Sequence, residues 1–233
     1  MKKNLILFLF LVFLSSADSI SQVNDSPIEY RFKNGYDGFS KFMFQNAIFP
    51  RYSKERNTIG LSISKMSITP LGKIGEIKII NPIDNDIDEM VKDLLKKTAF
   101  GWQKCDSISS NQTFYIQIAF NLIGAQQDFF DKSIFPSNKM FLKPIVVTTS
   151  PINRLPENKE SLTKQCVESI KSGKFKKALS AVNELIRRYP YSKDLYQLRM
   201  SIAQKLNDKK LIDQDLQKIS NFADGLSLDK LFE

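Results

Sequence analysis

The hydrophobic period of the sequence changes at Pro50, and this change constrains the fold of the N-terminal half more than any other feature. The apolar residues before it lie at helical spacing, at Phe39, Phe42, Met43 and Ala47. They predict one amphipathic helix over residues 36–49, which should end at the proline because a residue before proline favours extended geometry. The polar run over residues 51–60 predicts a loop, and the alternation over residues 61–68 predicts a strand.

Two more strands and a second helix complete the predicted N-terminal domain. The turn sequence TPLGK separates residues 61–68 from an apolar run over 74–80, which predicts a β-hairpin. Residues 84–99 place their apolar side chains on one helical face, with carboxylates at the start and lysines at the end, as the helix dipole favours. Residues 112–124 predict a third strand. The expected order is helix, strand, strand, helix, strand, an α+β arrangement.

This ordered set, over residues 35–124, resembles a TonB C-terminal domain. The first helix ends in Asn-x-x-Phe-Pro, similar to the Asn-x-x-Tyr-Pro of that family. Trp102 stands where the family has Trp-x-Pro, although Lys104 replaces the proline.

The resemblance implies an antiparallel sheet whose edge accepts an extended segment of a protein partner as an added strand. The candidate edge is the last strand, from Thr113 to Leu122. The residues implied to contact the partner are Thr113, Tyr115, Gln117, Ala119 and Asn121. In the family, such partners are outer-membrane proteins.

The N-terminus has the composition of a secretory signal peptide. A basic start is followed by an apolar run from Leu5 to Leu14 and then by small residues. Cleavage could follow Ala17 or Ser21, and we favour Ser21, which gives a signal peptide over 1–21 and an N-terminal extension over 22–34. The mature chain is then periplasmic or secreted. The alternative is an uncleaved anchor, which would suit a TonB-like energy-transducing component of outer-membrane transport.

The C-terminal part reads as a linker followed by helices. Residues 125–158 contain four prolines and little periodicity, although FLKPIVVTT within them either forms one strand or lies extended against a domain. Residues 159–233 are helical in pattern. Gly173, Ala178 and Pro190 fall where a tetratricopeptide repeat has its turn, its small residue and its closing proline, and adding the 34-residue period to Gly173 reaches Asn207. This segment therefore resembles a short tetratricopeptide array.

The composition argues against most enzymatic chemistry. The chain has no histidine, which excludes Ser-His and Cys-His nucleophile pairs and most zinc sites. The acidic run after Asn81 resembles a calcium loop, but Glu89 replaces the required glycine and Leu95 the bidentate glutamate. We therefore expect no catalytic residue, cofactor or metal. Cys105 and Cys166 could form a disulfide, but two separate buried thiols are the favoured interpretation.

Charge and domain organisation together indicate a binding protein. The net charge is +9, and basic residues outnumber acidic ones two to one over residues 159–220. In an exported chain this suits a solvated helix face, an acidic partner or an anionic envelope surface rather than nucleic acid, and it allows only peripheral membrane contact. The sequence thus predicts an exported interaction module that binds protein partners of the cell envelope through a sheet edge and a helical-repeat surface.

Overall fold

The computed structural model describes residues 26–125, 140–152 and 154–223. It is a mixed α/β structure with a four-stranded sheet, which agrees with the predicted α+β class. The helices are α1 (Ile28–Arg31), α2 (Gly35–Asn46), α3 (Arg51–Glu55), α4 (Asn85–Lys97), α5 (Lys159–Lys171), α6 (Phe175–Arg188), α7 (Lys193–Lys205) and α8 (Lys209–Ala223). The strands are β1 (Gly60–Ile68), β2 (Ile74–Asn81), β3 (Gln112–Leu122) and β4 (Ile145–Thr149), and a short 3₁₀ helix spans Thr98–Gly101.

The segment around Pro50 differs from the prediction. Helix α2 ends at Asn46, four residues before the proline, and the expected loop contains the short helix α3. Pro50 caps α3 with φ −61°, the value that a proline ring imposes at a helix start. An ion pair between Arg51 and Glu55, at 2.8 Å and one helical turn apart, supports this single turn.

The sheet has the order β2-β1-β3-β4. The predicted hairpin is confirmed, because β1 and β2 pair antiparallel, and β3 pairs antiparallel with the other side of β1. Strand β4 pairs parallel with β3, from Ile118–Ile145 to Leu122–Thr149. It lies inside the segment predicted to be a linker, so the first of the two alternatives for FLKPIVVTT is the observed one.

One face of the sheet packs against α2 and α4 around an aromatic cluster. Trp102 lies 5.1 Å from Phe32 and 5.0 Å from Phe114, measured between ring centroids, and its indole Nε1 donates to Thr98 Oγ1 at 2.9 Å. Ile28 and Phe32 are also buried in this core. The part of the predicted N-terminal extension that the structure describes therefore belongs to the sheet body, by which we mean residues 26–125 and 140–149.

The four C-terminal helices form two helix pairs, α5–α6 and α7–α8, which we call the helical body. The turn of each pair has a residue in the left-handed region, Gly173 with φ 69° and Asn207 with φ 57°. These are the two positions, 34 residues apart, at which the sequence predicted turns. Buried Asp215 of α8 accepts two hydrogen bonds from Arg199 of α7, at 2.6 and 2.9 Å, which joins the second pair internally.

The helical body packs on the face of the sheet opposite α2 and α4. The Tyr191 hydroxyl donates to Gln117 Oε1 at 2.7 Å, and Arg187 Nε donates to the carbonyl of Ile59 at 3.2 Å. A Cβ atom at Gly60 would lie 3.2 Å from the Arg187 backbone oxygen, so a glycine permits this close approach. The two predicted domains are thus in direct contact.

Candidate functional site

The expectation that β3 forms a free edge of the sheet is wrong. Strand β4 runs along the outer side of β3 over Ile118–Leu122. Further along, Tyr115 donates its N–H to the carbonyl of Met140 at 2.9 Å, and Leu142 donates its N–H to the carbonyl of Tyr115 at 2.9 Å. The backbone groups that would receive a partner strand there are occupied by the chain itself.

The five residues predicted to contact a partner lie on one face of β3, and the structure covers most of that face. The Tyr115 ring stacks on Phe141 with centroids 4.3 Å apart. Gln117 is buried, and Ala119 belongs to a small core with Tyr191 of the helical body.

The remaining two, Thr113 and Asn121, are half-buried near the two ends of β3. The five residues therefore form no continuous accessible surface, because the segment before β4 and the helical body pack over them.

Of the two outer strands, β4 is poorly suited to extend the sheet. It has five residues and is flanked by Pro144 and Pro151, which cannot donate a backbone hydrogen bond. The carbonyl of Lys143 just before it already accepts a hydrogen bond from the Tyr36 hydroxyl at 2.9 Å.

Strand β2, the other outer strand, offers a longer edge of eight residues. In the part of the chain that the structure describes, β2 pairs with β1 and with no other strand. Lys65 of β1 lies opposite both Tyr115 of β3 and Lys78 of β2, and because Tyr115 directs its backbone groups away from β1, the backbone groups of Lys65 and Lys78 point toward each other. Backbone direction alternates along a strand, so the N–H and C=O groups of Ile77 and Ile79 point outward, away from the sheet.

A groove of about 470 Å³ adjoins this edge, between β2 and α4. Ile74, Ile77 and Ala99 form its apolar lining, which we call the floor, and three lysines also line it. Ile77 and Ile79 are only half-buried even though they pack on the main core. A strand added along β2 would therefore cover apolar surface as well as satisfy backbone groups.

The charges along the groove are of one sign. Lys73, Lys92 and Lys96 line it, and no carboxylate does. Lys96 pairs with Asp93 at 2.9 Å. Among the described residues, neither Lys73 nor Lys92 has a carboxylate oxygen within 4 Å of its ammonium group.

Near the groove, the first turn of α4 contains a partly buried carboxylate, that of Asp88. Asp88 is half-buried and accepts the N–H of Ile83 at 3.0 Å, and burial raises its pKa. Lys92, one helical turn further along α4, attracts this carboxylate and lowers its pKa against the effect of burial, so Asp88 partly balances the positive charge of Lys92.

Sequence reasoning missed the β2 edge because it placed the open edge at the end of the domain. A usable signal was present in the alternation of Glu76 and Lys78 with Ile77 and Ile79. One side of β2 is apolar and the other is charged, and charged residues on an edge strand limit indiscriminate pairing with other chains.

A polar cleft of about 510 Å³ lies where the two bodies meet. Asn81, Asn183, Arg187 and Arg199 are among the residues that line it. Arg199 donates to Asn183 Oδ1 at 3.0 Å, and burial lowers the pKa of the Arg187 guanidinium. The cleft borders the helical body, whose surface was the second predicted binding surface.

The cysteines are both free thiols. Cys166 is buried between α5 and α6, where its thiol contacts the carbonyl of Ala178 at 3.6 Å and burial raises its pKa. Cys105 is half-exposed, and hydrogen bonds from Ser107, together with the nearby Arg31 guanidinium, lower its pKa. No pairing joins the two bodies covalently.

Over the same described residues, no group of three or more cysteine or carboxylate side chains is placed to hold a metal ion. Nor does any helix in that part of the chain combine the length and apolarity needed to cross a membrane.

Comparison with known proteins finds no matching family model, no matching curated protein and no matching solved structure.

Proposed function

We propose that this chain is an exported protein-interaction module whose sheet accepts an extended segment of a protein partner as an added strand along β2. The observation that carries the proposal is the outer edge of β2, eight residues long and bordered by a groove with an apolar floor. Edge backbone groups supply affinity in this mode of binding, and the adjoining pocket selects side chains.

The order of elements supports the same proposal. Helix α2, the β1–β2 hairpin, helix α4 and strand β3 follow the order of a TonB C-terminal domain, a family that binds by strand addition. In this chain β4 occupies the outer side of β3, and the proposal therefore places the partner on the opposite edge of the sheet.

The helical body supplies a second surface in this proposal, as tetratricopeptide-like helix pairs do. The polar cleft between the bodies would suit a hydrogen-bonding segment of the same partner. Export rests on the composition of residues 1–21, and sequencing of the mature N-terminus tests it. A start between Asp18 and Val23 is expected, whereas a chain that still begins at Met1 would favour the energy-transducing alternative.

Amide hydrogen exchange on the whole chain tests the binding edge. The probe is the neutral peptide Thr-Asn-Thr-Val-Thr-Asn-Thr, which favours an extended conformation. We expect the outward amides of Ile77 and Ile79 to gain protection at millimolar peptide, while Lys78, already bonded to β1, changes less. Protection that appears on β4 or the helices instead, or nowhere, would overturn the proposal.

A further inference from the structure

The groove beside β2 combines an apolar floor with positive charge, since no described carboxylate forms an ion pair with Lys73 and Asp88 acts on Lys92 only from beyond ion-pair distance. Lys73 stands at the turn end of the groove and Lys92 on the helix side, and both are exposed. Two ammonium groups about an apolar floor favour a ligand that presents carboxylates beside an apolar side chain.

The geometry of strand addition determines where those side chains must stand. A strand lying along β2 would turn every second side chain toward α4, because side chains alternate between the faces of a sheet. Ile77, at the centre of β2, would lie beneath the middle one of three such positions. The flanking two would lie about 7 Å to either side, within reach of flexible lysine side chains.

We propose that the partner segment is an extended acidic peptide, with an apolar residue over Ile77 and an aspartate or glutamate two residues away on each side, facing Lys73 and Lys92. This inference rests on the proposed function, because it names the chemistry of the segment that β2 receives. It does not follow from overall charge, since most of the basic excess lies in residues 159–220 rather than near β2.

The charge of the other face of β2 does not oppose this assignment. Glu76 and Lys78 are both exposed there and carry opposite charges. Lys65 of β1 lies opposite Lys78 on the same face, so that face has no excess of negative charge that would repel an acidic segment.

Three fluorescein-labelled peptides test the inference against the whole chain. They share the pattern Thr-Xaa-Thr-Val-Thr-Xaa-Thr, where Xaa is Asp, Asn or Lys, and their affinities are compared by fluorescence polarisation at low salt. We expect the Asp peptide to bind about tenfold more tightly than the Lys peptide, with the Asn peptide between them. The preference should shrink in 1 M salt, where the screening length falls to about 3 Å.

Two charge-reversal variants test whether the lysines of the groove cause the preference for the Asp peptide. The double variant Lys73→Glu, Lys92→Glu should reverse the order, so that the Lys peptide binds best. The control Lys164→Glu, Lys171→Glu makes the same change in net charge on exposed residues of α5 and should keep the original order. A preference for Asp that survives the first variant, or that is lost in the control, would overturn the inference.

The outcomes separate this inference from the function on which it rests. Equal binding of all three peptides, with protection at Ile77 and Ile79, would overturn the acidic preference and leave strand addition standing. Absence of binding by every peptide would overturn both. Concentration-dependent dimerisation that protects the same amides would overturn the inference by identifying a second copy of the chain as the occupant.

Discussion

Asp84 joins three parts of the sheet body through one carboxylate. It accepts the N–H of Ile87 at 2.9 Å as the N-cap of α4, and it also accepts from the Ser53 hydroxyl at 2.9 Å and from Arg56 at 3.0 Å. Burial alone would raise its pKa, but these hydrogen bonds and the guanidinium charge lower it below its ordinary value of 3.8. The charged form is therefore the one that stabilises the fold.

Replacement of Asp84 by asparagine should make this linkage visible. Asparagine still caps a helix but cannot ionise, so we expect a loss of about 1–2 kcal/mol in the free energy of unfolding at pH 7. A lowered folded pKa gives stability that is present above the unfolded pKa and lost as the pH falls through the folded value. Urea denaturation between pH 7 and pH 3 should show the two proteins converging below about pH 4. A difference that stays constant with pH would contradict this role.

Trp102 is the centre of the aromatic cluster and is almost completely buried. Its ring contacts Phe32 from α1's C-terminal end and Phe114 from β3, and its backbone forms an isolated β-bridge with Phe32. The side chain therefore connects the start of the sheet body to the centre of the sheet.

Truncation of Trp102 to alanine should lower the free energy of unfolding by about 3–5 kcal/mol, because a large buried ring is lost and a cavity remains. Phe44→Ala serves as the control, since Phe44 lies on α2 with 73% of its surface exposed. Chemical denaturation measures both. Equal small changes in the two midpoints would show that Trp102 does not support the core.

At the scale of elements, the helix pair α5–α6 has a core of its own. Ala178 and Val182 of α6 are fully buried with Cys166 of α5. The small side chain of Ala178 allows the two helices to approach, and its carbonyl lies against the Cys166 thiol. This core is distinct from the cluster that surrounds Trp102.

A leucine at Ala178 should force α5 and α6 apart, at a cost of about 1–3 kcal/mol for overpacking. We expect hydrogen exchange to lose protection in both helices while β1 and β3 keep theirs. Lys177→Leu adds the same side chain at an exposed neighbouring position and should change little. Equal loss of protection in the sheet would show that the two bodies unfold as one unit.

Hydrophobic period predicted the elements whose burial pattern is long and regular. It located α2, α4, the first three strands and both helix pairs, because each buries one face over eleven or more positions or alternates over a strand length. It missed α3, whose single turn depends on Pro50 and on the Arg51–Glu55 ion pair rather than on a buried stripe.

Hydrophobic period could not predict the parallel pairing of β4 with β3. Its five residues pair with the preceding strand β3 across a long connection, and the contact of Ile145 with Ile118 is one that no local pattern encodes. For this reason the candidate binding edge is β2 rather than β3. Once β4 is paired with β3, the open edge near the lysine groove is that of β2.

At the scale of the whole molecule, both faces of the sheet are covered, and among residues 26–125, 140–152 and 154–223 no strand pairs with the outer edge of β2. Helices α2 and α4 pack on one face, and Tyr191 and Arg187 bring the helical body to the other. Because both faces are packed, the sheet is formed before a partner strand is added, and such preorganisation lowers the entropy cost of binding. We therefore propose that a partner binds along β2.

The most direct test is the detection of nuclear Overhauser effects between the backbone protons of an isotope-labelled Thr-Asp-Thr-Val-Thr-Asp-Thr peptide and the amides of the bound chain. The account predicts cross-strand contacts from the peptide to Ile77 and Ile79, in the alternating pattern of a paired strand, with the valine methyl groups close to Ala99. Contacts to β3, to β4 or to the helical body, without any to β2, would contradict it.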